Sequence, residues 1–334
     1  MKKIVVIGGG TGSAVALSGL KNCKGVELSA VVVVSDNGGS TGRLRDEFGF
    51  LPVGDLRQCI AALATGENEK EIRQLLLYRF DKDSSLQGHN LGNLILTSLE
   101  SLTGGAGKAV EIASKIFRIG GTVLPISEDS FNLIVNYEDG TNVVGEKNLD
   151  DATLGGKKIK SISLDSEAKI YDKAYQTIVA ADLIVFGPGD LYGSLLPNTL
   201  VHGFTEALAA NKKRGGKFAY VGNLMTHFSQ TNNMTAGDHL LEIEKYCQRK
   251  PDFILLNNSP IPKEILRAYE KSNDFPIIDD LEKSSKGIKV IRKDLLSNYV
   301  AKIEKNDTLQ RSLIRHQKQK LADNLVRLIQ SKLF

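Results

Sequence analysis

The chain predicts an α/β protein, a Rossmann-like doubly wound and mostly parallel sheet that carries an antiparallel hairpin insertion. Three observations predict it. Short β-branched runs alternate with helical stretches along most of the 334 residues, which is the rhythm of βαβ units. Two glycine-rich loops follow apolar runs within the first fifty residues: Gly8-Gly9-Gly10-Thr11-Gly12-Ser13 after Ile4–Ile7, and Asp36-Asn37-Gly38-Gly39-Ser40-Thr41-Gly42-Arg43 after Ala30–Val34. A central stretch, about 121–164, switches to period-two alternation around Asp139-Gly140, a hairpin signal.

The elements follow in order. Ile4–Ile7 is a β-branched run closed by glycines and predicts the first strand, followed by a helix over Ser13–Leu20. Ala30–Val34 predicts a second strand, and helices are expected over Leu56–Leu63, Glu69–Phe80 and Leu94–Leu102. In the central stretch Phe131–Tyr137 and Thr141–Val144 read as hairpin strands and Lys158–Leu164 as a third, together an antiparallel insertion or edge. Alternation then resumes: helix Tyr171–Ala180, strand Leu183–Phe186, helix Thr199–Ala210, strand Lys217–Val221, helix Ala236–Cys247, strand Phe253–Leu256 and a last strand Ile288–Ile291. Over 308–334, Leu309, Leu313, Leu321, Leu325, Ile329 and Leu333 recur at helical spacing among Arg311, Arg315, Lys318 and Lys320. This is an amphipathic helix expected to pack on the sheet or on a second subunit, and a homo-oligomer is expected. No Pro-, Gly- or Ser-rich linker divides the chain, so residues 1–334 read as one domain.

Composition narrows the function classes. The net charge of +4 comes from 43 basic and 39 acidic residues, and the chain has no Trp, a balance that does not point to nucleic acid. Cys23, Cys59 and Cys247 form no CxxC pair, so they read as thiols of a reducing compartment rather than a disulfide or zinc framework. No apolar run is long enough to cross a membrane, and the short N-terminal apolar run is closed by glycines, so a cytoplasmic protein without membrane insertion is expected.

In a doubly wound sheet the ligand binds beyond the carboxyl ends of the strands. Those ends carry both glycine loops, Gly187-Pro188-Gly189-Asp190, Asn223 and Asn257-Asn258. Gly8, Gly9, Gly10 and Gly12, opening a helix, let backbone N–H groups approach a phosphate. Arg43 and Arg45 add cationic donors beside Gly38 and Gly39. As a dinucleotide fingerprint the first loop is imperfect, with Ser13 at the third glycine and no acid about twenty residues on, so NAD is not expected as a redox cofactor. Asp36 and Asp55 would lie on one edge of the cleft, and two carboxylates with substrate phosphates suit Mg²⁺. Each also has a local reading: Asp36 as a turn residue, and Asp55-Leu56-Arg57-Gln58 as a capping box. His89-Asn90-Leu91-Gly92-Asn93 precedes a helix, so Asn90 and Asn93 suit either capping or a ligand. The five histidines include no pair at zinc-ligand spacing, and no Gly-x-Ser-x-Gly elbow occurs.

Taken in order, Gly8–Gly12, Val34–Arg45, Leu51–Arg57, His89–Asn93, Gly187–Tyr192 and Gly222–Thr226 resemble the YvcK family, the so-called gluconeogenesis factors, over nearly the whole chain. That family is related to CofD, a phospholactate transferase with a guanylyl donor. The resemblance implies a UDP-sugar-binding regulator of cell shape and gluconeogenic growth; the alternative is a CofD-like, Mg²⁺-using transferase. It implies that Gly10, Thr11 and Gly12 face the ligand, that Asn223 and Thr226 contact it from the opposite half, and that Asp36 and Asp55 match the transferase metal positions. Arg315-His316 is similar to an Arg-His-Asp stretch linked to the UDP-sugar, with Gln317 in place of the aspartate. Where the family reads Gln-Pro-Gly-Glu-Thr, this chain has His227-Phe228-Ser229-Gln230-Thr231, so no carboxylate stands at Gln230, and no general base is evident.

Overall fold

Ile4, Val5, Val6 and Ile7 are all within 1% of full burial, because β1 (Lys2–Gly8) is an inner strand covered on both faces. The computed structural model describes residues 1–80, 84–282, 284–285, 287–298 and 313–330. From β1 the chain passes through α1 (Thr11–Leu20) to β2 (Val26–Val32), then through five helices in succession to β3 (Thr122–Pro125). Those helices are α2 (Gly39–Phe48), α3 (Gly54–Leu63), α4 (Glu69–Leu77), α5 (Leu91–Thr103) and α6 (Ala106–Ile116). A separate antiparallel sheet follows, β4 (Leu133–Tyr137), β5 (Asn142–Val144) and β6 (Ile159–Leu164), in the order β5-β4-β6. Its hairpin turns at Asp139-Gly140, where Gly140 has φ +86° and Asp139 accepts from the Thr141 N–H at 2.9 Å.

The second half alternates as expected: α7 (Asp172–Ala180), β7 (Leu183–Phe186), α8 (Phe204–Lys213), β8 (Lys217–Val221), α9 (Ala236–Cys247) and β9 (Phe253–Asn257). After α10 (Lys263–Glu270) come β10 (Ser284–Ser285), β11 (Ile288–Lys293) and α11 (Lys318–Gln330). The large sheet has the order β10-β11-β9-β8-β7-β1-β2-β3. Every neighbouring pair is parallel except β10 with β11. Strand order reverses at β1, with β2 on one side and β7 on the other. The crevice between the carboxyl ends of β1 and β7 is therefore the switch point.

Three expectations are corrected. Thr122–Pro125, which the sequence reading put inside the insertion, pairs in parallel with β2 as the outer strand of the large sheet, so the antiparallel unit begins after it. Helices α2, α6 and α10 were not anticipated: α2 is rich in Gly, Ser and Thr, weak helix formers. Within it Gly42 packs without a side chain against the Asn37 carbonyl, where a Cβ would come within 2.1 Å. Asp55 is not a helix cap, since α3 starts at Gly54 behind Val53 and has no side-chain cap.

The C-terminal helix packs on α1. Leu321, Ala322 and Leu325 are fully buried, and a Cβ on Gly19 would lie 2.2 Å from the Lys318 carbonyl oxygen. Within 308–334, Leu309, Arg311 and Leu333 lie outside the described residues. Replacing Gly19 by Val should separate the two helices and lower stability by about 1–3 kcal/mol. Chemical denaturation checks this, and an unchanged midpoint would show that the seam between α1 and α11 is loose.

Candidate functional site

At the switch point the two glycine segments touch. A Cβ on Gly12 would lie 2.0 Å from the Pro188 carbonyl oxygen, so only glycine lets α1 start beside the loop after β7. Ser13 takes the place of the third fingerprint glycine by sitting against Gly8, where a Cβ would meet its Oγ at 2.8 Å. Helices α1 and α2 begin at Gly10 and Gly38 with no side-chain cap, so their first N–H groups and positive dipole ends face the cleft.

Two carboxylates stand beside these helix starts without taking the first-turn N–H groups. Asp36 accepts from the N–H of Gly38, the residue before α2, at 2.8 Å, the turn role its sequence suggested, and Asp55 reaches Gly10, where a Cβ would lie 2.3 Å from its Oδ1. Burial raises the pKa of both carboxyls; Asp55 reaches about 7, pushed further by the charge of Asp36 and held back by Arg57 and the Gly10 N–H. Beneath them lies Arg57, 7% exposed, whose Nε donates to Asn93 Oδ1 at 2.7 Å and whose Nη1 donates to the Leu76 carbonyl at 3.2 Å.

The His89–Asn93 motif builds this floor. Gly92 makes room for the Arg57 stem, since a Cβ there would lie 2.7 Å from Arg57 Cδ. Asn90 caps α5 by accepting from the Asn93 N–H at 3.3 Å. Asn93 also donates to Ser40 and Thr41 at 3.3 Å, and His89 Nδ1 lies 3.4 Å from Ser40 Oγ. Asn90 and Asn93 are each 2% exposed, so their side chains support the loop of Asp36 from behind.

Other expected contacts are placed as follows. Asn37 Oδ1 accepts from the Lys147 N–H at 2.9 Å, docking the insertion. The exposed Arg43 donates to the Gln87 carbonyl at 2.9 Å. Thr11 donates to Gln58 at 3.0 Å, and Thr226 accepts from the Phe275 N–H at 2.8 Å. Gly187 and Gly189 flank Pro188 in the loop beside Gly12, and Gly39 opens α2 with φ +48°. Asn223 lines a cavity of about 350 Å³ beyond β8 and β9, with Leu256, Asn258 and Pro276. The segment of Arg315 reaches the same edge: its carbonyl accepts from the Ser297 N–H at 2.9 Å, and His316 is buried there.

Sequence reasoning missed one wall of the cleft. The insertion brings Glu146 and Asp150, and the loop after β7 brings Asp190, to face Asp36 and Asp55. Their mutual charges and burial raise the carboxyls of Glu146 and Asp150 above the ordinary range. His227, from the loop after β8, lies 3.4 Å through Nε2 from Asp150 Oδ1 and 3.0 Å through Nδ1 from Ser229 Oγ. The Gln230 amide beside Asp150 holds that carboxyl down. No local spacing could have found these partners, because Asp150 and His227 are far apart in the chain; only the departure at His227–Thr231 marked the loop. Among the described residues no group of three His, Cys, Asp or Glu side chains is placed to hold a metal ion, and no helix is long and apolar enough to cross a membrane.

Comparison with known proteins agrees with this architecture. The sequence profile of 2-phospho-L-lactate transferase CofD matches residues 4–296. The chain is 39% identical over 330 residues to the gluconeogenesis factor of Bacillus subtilis, covering 98% of each chain. It is 39% identical over 311 residues to the gluconeogenesis factor of Halalkalibacterium halodurans, covering 92% of each. A crystal structure of a UPF0052-family protein from Bacillus halodurans superposes with a TM-score of 0.87 at 36% identity, over 98% of this chain and 100% of that one.

Two predictions test the electrostatics. Replacing Arg57 by Met leaves the acid pair without its counter-ion, which should cost about 3–5 kcal/mol at pH 8. Denaturant unfolding should show the loss shrinking at pH 5, where Asp55 holds its proton; a loss independent of pH would assign Arg57 to packing alone. Asp55 keeps its proton to about pH 7 when folded, whereas an ordinary aspartate loses it near pH 3.8. The native state thus binds more protons than the unfolded one in that window, and the carboxyl lowers stability as pH rises through it. Asp55→Asn should raise the Tm of metal-free protein at pH 8 and leave it unchanged at pH 4.

Proposed function

The chain belongs to the CofD family, among the gluconeogenesis factors, and on that premise we propose that it binds a UDP-sugar or related nucleotide as a cytoplasmic regulator of gluconeogenic growth and cell shape. One observation carries the reading: two uncapped helix N-termini and two carboxylates converge where the strand order reverses. Uncapped N–H groups favour an anion, whereas Asp36 and Asp55 repel one. A diphosphate and the acid pair can share the site only if a cation neutralises them. Mg²⁺ suits that need, because it commonly binds one or two carboxylates plus substrate phosphates rather than an all-protein cage. Asp36 and Asp55 would hold it, and its charge would offset that of the diphosphate.

A second reading, a transferase of the CofD type, is favoured by the His227–Asp150 pair. With Nδ1 released from Ser229, the imidazole would take the proton of an incoming hydroxyl as that oxygen bonds phosphorus and the nucleoside phosphate leaves. Phosphoryl chemistry depends mainly on positioning and metal electrostatics, so this reading makes the same demands on Asp36 and Asp55.

The test is binding followed by recovery. With Mg²⁺, UDP-glucose at about one hundred times its Kd should stabilise the fold by about 2.7 kcal/mol, while NAD should not. Asp55→Asn should bind UDP-glucose at least tenfold more weakly with Mg²⁺ and lose most of the Mg²⁺ effect. Equal Mg²⁺ dependence in variant and parent would exclude the metal role. A side chain at Gly10 would meet Asp55 Oδ1 at 2.3 Å, so Gly10→Val, which should abolish binding, perturbs loop and acid together. After long incubation with candidate acceptors, mass analysis should recover UDP-glucose unchanged. Catalytic release of UMP or UDP, lost in Asp36→Asn, would favour the transferase.

A further inference from the structure

The net charge of +4 is spread unevenly along the strand axis. The carboxyl end of the sheet holds the acids of the cleft, whereas the amino end is basic, and two kinds of element make it so. Where strands begin, β1 opens on Lys2 and Lys3 and β8 on Lys217. Where helices return to that end, Lys24 follows α1, and α8 closes on Lys212 and Lys213 with Arg214 as its cap. A helix end carries about half a negative charge, which the three cations at α8 exceed, and it gives no reason for lysines at strand starts. The acids beside these strand starts are already matched: Asp182 pairs with Lys2 at 3.0 Å, Glu27 with Lys3 at 3.9 Å, and Asp252 with Lys217 at 3.5 Å and Arg249 at 3.3 Å. Lys24, Lys212, Lys213 and Arg214 are exposed and pair with no carboxylate among the described residues.

We propose that this amino edge of the sheet is a contact surface for an anionic lipid bilayer, with Lys24, Lys212, Lys213 and Arg214 set against its headgroups. Three features select a bilayer over other polyanions. The cations sit on separate elements, from the start of β2 to that of β8, three strand spacings or about 14 Å apart, so they match a broad field of charge. Lysine outnumbers arginine, and an ammonium is a point charge without the fork that reads a single phosphate. The large apolar side chains exposed at this end are aliphatic, Met1 at 84% before β1 and Ile116 at 59% at the end of α6; they suit the boundary between headgroups and acyl chains and offer no ring for base stacking. Among the described residues no helix is long and apolar enough to cross a membrane, so the contact is peripheral. The acids of the cleft do not cancel it. A five-residue strand such as β8 separates the two ends by about 17 Å, twice the Debye length of about 8 Å at physiological salt. Docked this way, the protein turns its cleft away from the lipid, and the inference stands apart from the nucleotide reading.

The experiment is co-sedimentation of the full chain with phosphatidylcholine vesicles that do or do not contain about one-third phosphatidylserine. Partition should be at least tenfold stronger on the anionic vesicles at about 50 mM salt and fall to the level of the neutral ones at about 500 mM, where the Debye length is only a few ångströms. Lys212→Glu with Lys213→Glu should weaken that partition at least tenfold. The same change of net charge at the opposite end, Lys263→Glu at the start of α10 with Lys293→Glu at the end of β11, should alter it by less than twofold. Glutamate is unfavourable in the last turn of a helix, so Lys212→Gln with Lys213→Gln supplies a milder variant, expected to lose about threefold with its thermal midpoint retained. Equal losses from the two ends would reduce the effect to net charge and overturn the surface, as would equal partition onto neutral and anionic vesicles. Tighter binding to random-sequence duplex DNA than to the anionic vesicles, with the same dependence on Lys212 and Lys213, would overturn the lipid assignment in favour of nucleic acid.

Discussion

The buried guanidinium of Arg57 is the constraint around which the cleft is built. Two carboxylates stand on the carboxyl edge of the sheet within each other's field, and one cation lies beneath them. Without it, the charges of Asp36 and Asp55 would face low-dielectric surroundings and each other, a situation that protonation or unfolding would relieve. The His89–Asn93 motif acquires its meaning here. Gly92 provides room for the Arg57 stem, Asn93 accepts from its Nε, and the same amide ties Ser40 and Thr41 to the floor. Residues that suggested ligand contacts by their chemistry thus lie one layer behind the acid pair.

The cleft is an electrostatic compromise. The N-termini of α1 and α2 attract an anion, and the acids beside them repel it. Burial first, and then the charge of Asp36, raise the Asp55 carboxyl above its ordinary range. A dication and a diphosphate together would relieve both sides, which is why metal and nucleotide are expected to bind as one unit.

The insertion is part of the site. Asn37 docks it through the Lys147 N–H, and Phe228 packs on Gly155, where a Cβ would lie 2.0 Å from its ring. These contacts bring the turn of Glu146 and Asp150 against the loop of His227 and Gln230. The pair of His227 and Asp150 fastens a small antiparallel sheet to the end of β8 and supplies an ionisable group to the cleft. One set of side chains therefore shapes the wall and provides its chemistry.

Much of this was legible in the sequence. β-Branched runs bounded by glycine read as buried strands because the two faces of a parallel sheet demand it. Asp139-Gly140 read as a hairpin because glycine tolerates the positive φ of the turn. The glycine loops and the pair Asp36 and Asp55 read as neighbours on one cleft edge because strand ends and the turns after them leave local marks. What the tertiary structure alone decided is long-range pairing. Asp55 read as a helix cap by its neighbours, yet its carboxylate reaches Gly10 across the fold. Thr122–Pro125 read as part of the insertion, yet it pairs with β2. Glu146, Asp150, His227 and Gln230 carry no shared pattern, because their meeting is set by how the insertion docks on β8. Local sequence encodes backbone conformation and solvent-facing periodicity, whereas the field at a carboxylate depends on every charge packed around it.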